Sequence, residues 1–281
     1  MTAAGSVRDA LAAATDALAA AAADTPRLDA ELLLAEASGI DRRRLLADPD
    51  GGLSPAAARR FGAMVRRRVA REPVAYILGR RAFRHIELVV DPRVLIPRPE
   101  TELLVEVALE LRPRTVLDVG TGSGAVALAV AFELPETAVV GTDESPDAVA
   151  VAQANAERLG LADRVRVQRG ALPPGERFDL LLANLPYVAE DEWKGLAPEI
   201  TRYEPRDALV AGPVGLESIE SLLALIAAAG GPASVEALAL EVGAGQAAAV
   251  AELVRGAGYE SIDLRAELAG IDRVVVGRRS R

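Results

Sequence analysis

Residues 115–131, TVLDVGTGSGAVALAVA, decide how this chain folds. The segment begins with Val116 and Leu117, which are typical of a buried strand, and Asp118 ends that strand. Glycine then occupies every second position, at Gly120, Gly122 and Gly124. An Ala/Val/Leu segment of helical length follows. A strand, a glycine turn and a helix in this order let the backbone approach a nucleotide-like ligand, because glycine accepts a positive φ and has no Cβ to collide with the ligand.

Two kinds of ligand fit this turn. The spacing Gly120-x-Gly122-x-x-Ala125 satisfies a loose dinucleotide fingerprint, which is weak when it stands alone. Asp118 argues against a dinucleotide, because its carboxylate would lie beside a pyrophosphate. The same carboxylate favours a cation that has an ammonium group and no phosphate, such as S-adenosylmethionine. A tight turn without any ligand is the third and least favoured interpretation.

A second acid supports a ribose-containing ligand. Asp143 ends the next apolar run, residues 138–142, where a carboxylate can accept hydrogen bonds from both ribose hydroxyls. Its distance along the chain from Gly120 suits both a dinucleotide and S-adenosylmethionine. Asp143 therefore indicates a ribose but does not distinguish these two ligands.

Composition limits the possible chemistry. The 281 residues allow about two domains, and 51% hydrophobic with 26% charged residues is ordinary for a globular protein. The chain has no cysteine, which excludes disulfides and thiolate metal sites. His85 is the single histidine, so histidine-based catalysis and zinc binding are disfavoured. We therefore expect no metal.

Charge and hydropathy limit the possible partners. The formal net charge is −9 and the pI is near 4.9, which disfavours nonspecific binding to nucleic acid. No uninterrupted apolar run reaches transmembrane length, and the first residues lack the pattern of a secretory signal. We therefore expect a cytoplasmic protein that does not associate with membranes.

Residues 1–75 are predicted to form a helical domain of four or five helices. Thr25-Pro26 and Ser54-Pro55 each place a capping side chain before a proline at the first helical position, and Gly39 is a typical helix end. The arginine clusters 42–44 and 66–68 are predicted to be solvated faces, with a docking surface as the alternative. Because nothing catalytic occurs here, we hypothesise that this domain recognises the substrate.

Residues 76–100 are predicted to form a β-hairpin and a proline-rich connector. Residues 86–90 alternate as a half-buried strand does, Asp91-Pro92 is a turn signal, and residues 94–96 are predicted to be the returning strand. His85 lies in the alternating pattern, and we expect it to be a structural or surface residue. Pro97 and Pro99 stiffen the chain before a helix that is predicted to run from Glu100 to Leu111.

Residues 101–281 are predicted to form the catalytic domain, a doubly wound α/β sheet. Strands are predicted at residues 165–167 and 178–183, with a helix at residues 146–159. Residues 178–183, FDLLLA, are almost entirely apolar, as expected for a buried parallel strand. Further elements are predicted over residues 213–229, 235–242, 245–256, 259–264 and 271–277. In such a sheet the ligand lies at the carboxyl ends of the strands.

The motif Asn184-Leu185-Pro186-Tyr187 comes directly after that strand. The amide of Asn184 can accept a hydrogen bond from an NH2 group and can donate one, and Tyr187 offers a flat apolar face. Pro186 has no N–H of its own. We expect this set to hold a planar amide or amino nitrogen with that nitrogen aimed at the cofactor. The alternative is a proline turn with a core tyrosine, which the upstream glycine turn disfavours.

Several segments together resemble one family. EPVAYILG with VLIPRPETE, LDVGTGSG, NLPY followed by YEPRDAL, LALEVGAGQ and AGIDRVVVGRR are similar to the bacterial protein-(glutamine-N5) methyltransferases that modify class 1 peptide-chain release factors, the PrmC or HemK family. The resemblance covers nearly the whole chain, and LIPRPETE is its most specific element. It implies a seven-stranded Rossmann-like sheet with an N-terminal helical bundle and a linking β-hairpin.

The resemblance also implies site residues and a substrate. S-adenosylmethionine would be the methyl donor and S-adenosylhomocysteine the product. The family's substrate is the glutamine of a Gly-Gly-Gln tripeptide in the release factor, free or on the ribosome. Its motifs place the ribose on Asp143 and the glutamine amide on Asn184, Pro186 and Tyr187. They place the cofactor loop on Gly120, Thr121, Gly122, Ser123 and Gly124.

The chain departs from the family in two places. Leu185 stands where the family usually has a proline; the backbone carbonyl remains there, so we expect the chemistry to survive. The family often carries an acid and an aromatic residue near the adenine, whereas this chain has Ala171 and Leu172. We expect Leu172 to pack against the adenine instead.

Two alternatives belong to other classes of protein. An adenine or cytosine amino methyltransferase that acts on DNA has a similar Asn/Asp-Pro-Pro-Tyr/Phe motif, but the acidic pI and the lack of a basic target-recognition domain disfavour it. A paralogue that binds S-adenosylmethionine weakly and transfers nothing would fit the altered adenine pocket.

Overall fold

The structure is a computed structural model that describes residues 5–279. The chain divides into two compact units. The first contains the described residues up to Gly79 together with Ala197–Tyr203, and the second contains Arg80–Leu196 and the described residues from Glu204 onward. The sequence-based division at residues 75 and 100 stays a prediction.

The first unit is helical, as predicted. Its helices in chain order are α1 (Val7–Ala20), α2 (Pro26–Ser38), α3 (Arg42–Ala47), α4 (Pro55–Val69) and α5 (Val74–Leu78). Ser54 caps α4 by accepting a hydrogen bond from the N–H of Ala57, and Gly39 ends α2 at φ 68°. Thr25 occupies the position before α2, but its hydroxyl donates to Asp29 and caps no backbone N–H.

A buried ion-pair cluster joins distant parts of this unit. Arg68 contacts Asp29 (2.7 Å) and Glu199 (2.7 Å), and Arg71 contacts Glu199 (2.6 Å). Burial alone would lower the pKa of Arg68, but the hydrogen bonds that its guanidinium donates to the two carboxylates outweigh burial and raise this pKa. The prediction of a solvated face at residues 66–68 is therefore wrong for Arg68, because its side chain is buried and paired with Asp29 and Glu199.

The hairpin is present, but its strands differ from those predicted. β1 (Arg80–Phe83) pairs antiparallel with β2 (Ile86–Val89), and the chain turns at Arg84 and His85. Residues 94–96 form no strand, so the predicted returning strand is wrong. Instead, the N–H of Ile96 donates to the carboxylate of Glu204, 3.1 Å away. A side chain thus takes the backbone group that a partner strand would otherwise bind.

The turn of the hairpin is fixed by charge. Arg84 adopts φ 50°, and its guanidinium makes two 2.8 Å hydrogen bonds to the carboxylate of Glu133. His85 is exposed over 68% of its side chain. It therefore lies in the turn, at the surface, and outside the alternating strand.

The second unit is built on a mixed sheet of seven strands, which confirms the predicted seven-stranded Rossmann-like fold. Its order is β10-β11-β9-β6-β3-β4-β5, and β11 alone runs antiparallel to its neighbours. A separate two-stranded pair joins β7 to β8. The strands are β3 (Thr115–Val119), β4 (Ala138–Asp143), β5 (Val165–Arg169), β6 (Phe178–Ala183), β7 (Val188–Ala189), β8 (Val210–Gly212), β9 (Val235–Glu241), β10 (Ser261–Ala266) and β11 (Asp272–Arg278).

Helices cover this sheet. They are α6 (Glu102–Leu111), α7 (Ala125–Glu133), α8 (Pro146–Arg158), α10 (Glu217–Ala228) and α11 (Ala247–Gly256), while α9 (Pro198–Tyr203) belongs to the first unit. A 3-10 turn, Pro99–Thr101, precedes α6 where the sequence predicts the helix to begin. α7 consists almost wholly of small apolar residues, and all of its side chains from Ala125 to Ala131 are buried.

Asn155 of α8 ties the hairpin to the glycine turn. Its buried amide accepts from the N–H of Val89 (2.8 Å) and donates to the carbonyls of Val89 (3.0 Å) and Ser123 (2.9 Å). The bond to Ser123 is fully buried, so without Asn155 that carbonyl would lack a partner in the interior.

We expect Asn155→Leu to lower the free energy of unfolding by about 3 kcal/mol, because it keeps the branching of the side chain and removes all three bonds. Urea unfolding monitored by circular dichroism measures this change. Gln153→Leu, on the exposed side of the same helix, removes one 3.1 Å bond to the carbonyl of Val167 and should cost at most about 1 kcal/mol. Equal effects of the two substitutions would contradict the role of Asn155.

Candidate active site

The two predicted motifs meet at one edge of the sheet. β3 and β6 are parallel neighbours, and Val119 pairs with Ala183. The glycine turn follows β3 directly, and Asn184 follows β6 directly. A cavity of about 850 Å³ opens there. A smaller cavity of about 310 Å³ lies at the opposite ends of the strands, which is not where ligands bind in open parallel sheets.

The larger cavity is lined by several predicted site residues. These are Gly120, Gly122, Asp143, Asn184, Leu185 and Pro186. Other parts of its wall come from segments that the sequence analysis did not assign to a site. They are residues 92–95 and four residues of α10, namely Ser218, Ser221, Leu222 and Leu225.

The glycine turn needs its glycines. Gly120, Gly122 and Gly124 adopt φ 73°, 56° and 83°, where residues with a Cβ are strained. A Cβ on Gly120 would lie 3.1 Å from Cδ2 of Leu185 and 3.5 Å from the carbonyl oxygen of Asn184. Glycine at this position therefore lets the turn and the Asn-Leu-Pro-Tyr motif approach each other.

Asp118 supports the turn from behind. Only 2% of it is exposed, and its Oδ2 accepts from the hydroxyl of Thr121 (2.6 Å) and from the N–H of Ala127 (3.1 Å). Burial raises the pKa of Asp118 to about 6, and the two hydrogen bonds oppose that rise. Asp118 does not line the cavity, so its predicted contact with the cofactor's ammonium group stays a prediction.

Asp143 lies on the cavity wall at the end of β4. Its two carboxylate oxygens accept from the N–H groups of Gly122 (3.0 Å) and Ser145 (2.9 Å). Burial raises the pKa of Asp143, while these backbone bonds lower it. Each carboxylate oxygen has a second lone pair, so the group can also accept from two hydroxyls of a ligand.

Three other predicted cofactor residues are packed inward. Thr121 and Ser123 are buried, the first against Asp118 and the second through its carbonyl against Asn155. Leu172 packs in part against the hydrophobic core, and the cavity wall at this point is formed by Gly170 and Ala171. The predicted contact of Leu172 with an adenine stays a prediction.

The amide of Asn184 is held by a residue of the LIPRPETE motif. Its Nδ2 donates to the hydroxyl of Thr101, 3.0 Å away. Because the amino end of the amide is occupied, Oδ1 is the end that can accept a hydrogen bond from a ligand. The sequence analysis quoted the motif but assigned no role to Thr101.

Tyr187 is fixed by the EVGAGQ segment. Gln246 donates to the carbonyl of Tyr187 (3.0 Å), and a Cβ on Gly243 would lie 3.2 Å from Cδ2 of its ring. Burial raises the pKa of the Tyr187 hydroxyl to about 12, and the nearby charge of Glu241 acts in the same direction. Tyr187 therefore stays neutral at physiological pH, and its ring packs against backbone.

Glu204 joins two further motifs. It lies in YEPRDAL, and its carboxylate accepts from the N–H of Ile96 and from the guanidinium of Arg98 (2.5 Å), both in LIPRPETE. Glu204, Thr101 and Gln246 all lie in the family motifs named in the sequence analysis, which is the only sequence signal that points to them. A single polar residue in a motif does not show which distant group its side chain will contact.

Two properties of residues 5–279 bear on other kinds of site. No group of three or more His, Cys, Asp or Glu residues is arranged to hold a metal ion there. Within the same residues, no helix combines the length and apolar character needed to cross a membrane.

Comparison with protein families gives two matches. The family model described as PrmC N-terminal domain matches residues 9–79, and the one described as methyltransferase small domain matches residues 99–202.

Two curated relatives are each named release factor glutamine methyltransferase. The protein from Moorella thermoacetica is 43% identical over 281 residues, covering 97% of this chain and 98% of its own. The protein from Cereibacter sphaeroides is 43% identical over 277 residues, and the match covers 96% of this chain and 97% of the relative.

Solved structures resemble the fold of this chain over about two thirds of its length. The hMettl16 catalytic domain in complex with a MAT2A 3′UTR hairpin has a TM-score of 0.58 at 17% identity, covering 69% of this chain and 76% of its own. A methyltransferase from Pyrococcus furiosus has a TM-score of 0.50 at 17% identity; the match covers 69% of this chain and 89% of the Pyrococcus chain. At these identities the likeness concerns the fold alone.

The raised pKa of Asp118 predicts a stability difference that depends on pH. In the folded chain the pKa of Asp118 is about 6, whereas the ordinary pKa of an aspartate is 3.8. Between these two pH values the folded chain holds a proton that the unfolded chain has lost, so the free energy of unfolding falls as pH rises through this range. Asp118→Asn keeps one oxygen for both hydrogen bonds and carries no charge. Relative to the wild type, the variant should gain up to about 3 kcal/mol of unfolding free energy between pH 4 and pH 7.

Urea unfolding of both proteins at several pH values measures that gain. A difference between variant and wild type that does not change with pH would contradict the argument, because it would mean that the ionisation of Asp118 does not affect stability.

Proposed function

This chain belongs to the release factor glutamine methyltransferase family, and from that premise we propose that it methylates the side-chain amide nitrogen, N5, of the glutamine in the Gly-Gly-Gln tripeptide of a class 1 peptide-chain release factor. One observation carries the proposal most directly. The glycine turn and the Asn184 motif line a single cavity, with only the width of a glycine between Gly120 and Leu185.

Members of the family are methyltransferases, and the methyl donor is S-adenosylmethionine. The residues of the cavity suit this donor. Gly120 and Gly122 leave room where a Cβ would intrude, and Asp143 has lone pairs to spare for two ribose hydroxyls. The uncharged backbone of Gly170 and Ala171 would bound the adenine, with Leu172 behind it.

In this arrangement Asp118 would act on the cofactor through its negative charge and would not touch it. Its carboxylate lies behind the glycine turn and is buried, so little water screens it. A positively charged ligand in the cavity would lower its pKa from about 6 and keep it ionised. Thr121 and Ser123 hold the turn in place from within.

The glutamine amide would bind at the Asn184 motif. Oδ1 of Asn184 and the backbone carbonyl of Leu185 would accept its two NH2 hydrogens, and the ring of Tyr187 and the ring of Pro186 would flank its plane. A backbone carbonyl needs no particular side chain, so Leu185 can replace the usual proline without removing this acceptor.

The chemistry follows from alignment and charge. When bound, S-adenosylmethionine supplies an electrophilic methyl group on a positively charged sulfur. An amide nitrogen is a poor nucleophile because its lone pair is delocalised, so correct placement, which can contribute about 7–11 kcal/mol, is the main requirement. Asn184 and Leu185, by accepting from the NH2 group, stabilise the positive charge that grows on this nitrogen as it forms its new bond. The extra proton then leaves to water, and no side-chain base is required.

The first unit is proposed to recognise the release factor. It offers exposed arginines on α3 and α4, among them Arg43, Arg44 and Arg66, and its buried charges are already paired. A cytoplasmic location, where release factors act, belongs to the same proposal, and the ribosome as a further partner is left to experiment.

The two other classes of function are less well supported. The relatives named above do not favour a DNA amino methyltransferase. A protein that binds the donor and transfers nothing would not need Asn184, Leu185 and Pro186 to line the same cavity as the glycine turn.

We expect Asn184→Ala to abolish methyl transfer, because it removes an acceptor for the NH2 group of the substrate. Binding of S-adenosylmethionine should stay within a few fold of the wild type. Incubation with labelled donor and a purified release factor, followed by peptide mapping, measures transfer, and calorimetry measures donor binding. A release factor with its Gly-Gly-Gln glutamine replaced by glutamate is the control substrate.

Plasmid DNA in a parallel incubation tests the alternative. Label on DNA, or no label on any substrate although the donor binds, would overturn the proposed function. Normal turnover by Asn184→Ala would leave the function standing and refute the role of Asn184.

The role of the first unit has its own test. Arg43→Glu together with Arg44→Glu should raise KM for the intact release factor several fold, because it reverses charge on a surface distant in sequence from the motifs. A short peptide containing Gly-Gly-Gln should react equally with variant and wild type. Equal loss with both substrates, or no loss with either, would contradict recognition by these arginines.

A further inference from the structure

We propose that Thr101 and Glu241 are positioning residues that orient the Asn184 amide, so that its oxygen, and not its NH2 group, faces the substrate. This inference rests on the proposed function, since it concerns how the glutamine amide is held. It assigns roles to two buried polar residues outside the Asn-Leu-Pro-Tyr motif.

The three side chains form a hydrogen-bonded chain. Nδ2 of Asn184 donates to the hydroxyl of Thr101 at 3.0 Å. The Thr101 hydroxyl also acts on the carboxylate of Glu241 as a hydrogen-bond donor, which lowers the pKa of that carboxylate. Glu241 is the last residue of β9, and Leu240 pairs with Ala183 of β6, so Glu241 and Asn184 leave adjacent strands side by side.

The direction of this chain determines which end of the amide is free. An ionised carboxylate can only accept, so the single proton of the Thr101 hydroxyl points to Glu241. The oxygen of Thr101 must then accept from its other neighbour, which has to be the NH2 group of Asn184. Oδ1 of Asn184 is thereby turned away from Thr101. An asparagine without such a partner can bind with either end, because its two ends have nearly the same shape.

The burial of Glu241 is otherwise unexplained. Only 2% of the residue is exposed, and its Oε2 has no hydrogen-bond partner among the described residues. A carboxylate with an unsatisfied oxygen in the interior is costly, and an apolar residue of similar size would be cheaper for stability alone. A requirement for an acceptor behind Thr101 accounts for an acid at this position.

Several charged or titratable groups surround the carboxylate. Glu100 and Arg98 come from the segment before α6, Arg273 comes from β11, and Tyr187 lies beyond the end of β6. Burial raises the pKa of Glu241 to about 7; the Thr101 bond and the two arginines oppose this rise, and Glu100 adds to it. The group therefore changes charge within the range of ordinary assays.

The chain predicts a sign for the dependence on pH. Above about pH 7 Glu241 is ionised and the chain runs from Asn184 to Glu241. Below it the carboxylic acid can donate to Thr101, which frees the Thr101 proton for Asn184 and permits the amide to reverse. A reversed amide presents N–H to a substrate N–H, so kcat should fall as pH is lowered through this value.

The decisive variants remove one hydroxyl each. Thr101→Val keeps the shape and removes the hydroxyl; we expect kcat for the release factor to fall on the order of 100-fold, with donor binding unchanged by calorimetry. Thr101→Ser should restore kcat to within a few fold. Thr137→Val is the matched control, because Thr137 is equally buried and donates to the carbonyl of Pro113 at 2.8 Å, far along the chain from the site.

A second, independent measurement uses Glu241→Gln. Its amide can either accept from Thr101 or donate to it, so we expect a kcat several fold lower than in the wild type. Since this amide does not titrate, the fall in kcat between pH 8 and pH 6 should disappear. This test stands even if Thr101→Val folds poorly.

The proposal is overturned if Thr101→Val turns over as fast as Thr137→Val, or if Glu241→Gln keeps the acidic fall in kcat. It is supported if the serine variant rescues kcat and the glutamine variant loses the fall. Failure of the wild type to methylate any release factor would instead refute the proposed function, so the two failures are distinguishable.

Discussion

The pairing of β3 with β6 is the constraint on which the rest of the site depends. Val119 and Ala183 end neighbouring parallel strands, and the chain then leaves the sheet as the glycine turn on one side and as Asn184 on the other. Parallel strands lie about 4.8 Å apart, so whatever follows them is crowded. A glycine at position 120 relieves that crowding, because a Cβ there would lie 3.1 Å from Cδ2 of Leu185. The distance between the glycine turn and the Asn-Leu-Pro-Tyr motif is therefore set by the sheet itself.

Buried polar side chains give this edge its rigidity. Asn155 binds the carbonyl at Ser123, Gln246 binds the carbonyl of Tyr187, and Glu204 binds the N–H of Ile96. Each of them satisfies a backbone group that has no partner in a strand or a helix. The loops around the cavity are thus held by side chains from distant parts of the second unit. Such loops are well suited to reactions that depend mainly on placement.

Much of the fold could be predicted because its signals are local. The glycine turn, the apolar run of β6 and the Ser54-Pro55 helix start depend on a few adjacent residues. The hairpin could not be assigned correctly, because its turn places Arg84 at positive φ through ion pairs with residues elsewhere in the sequence. Residues 94–96 look like a strand since they are apolar and partly β-branched, yet Glu204 binds the backbone that a partner strand would need. The site motifs were found, but Thr101 and Gln246 act through contacts across 83 and 59 residues, which no local pattern encodes.

The ion pairs around Glu199 have a consequence for synthesis of the chain. Arg68 and Glu199 are 131 residues apart, and Glu199 is also the carboxylate partner of Arg71. A chain emerges from the ribosome from its N-terminus, so α1 to α5 are exposed long before their last helix, α9, exists. Until then Arg71 lacks that carboxylate, and Asp29 is the one carboxylate that pairs with Arg68. The first unit therefore cannot complete these ion pairs until Glu199 has emerged, which is later than β3 to β6 in chain order.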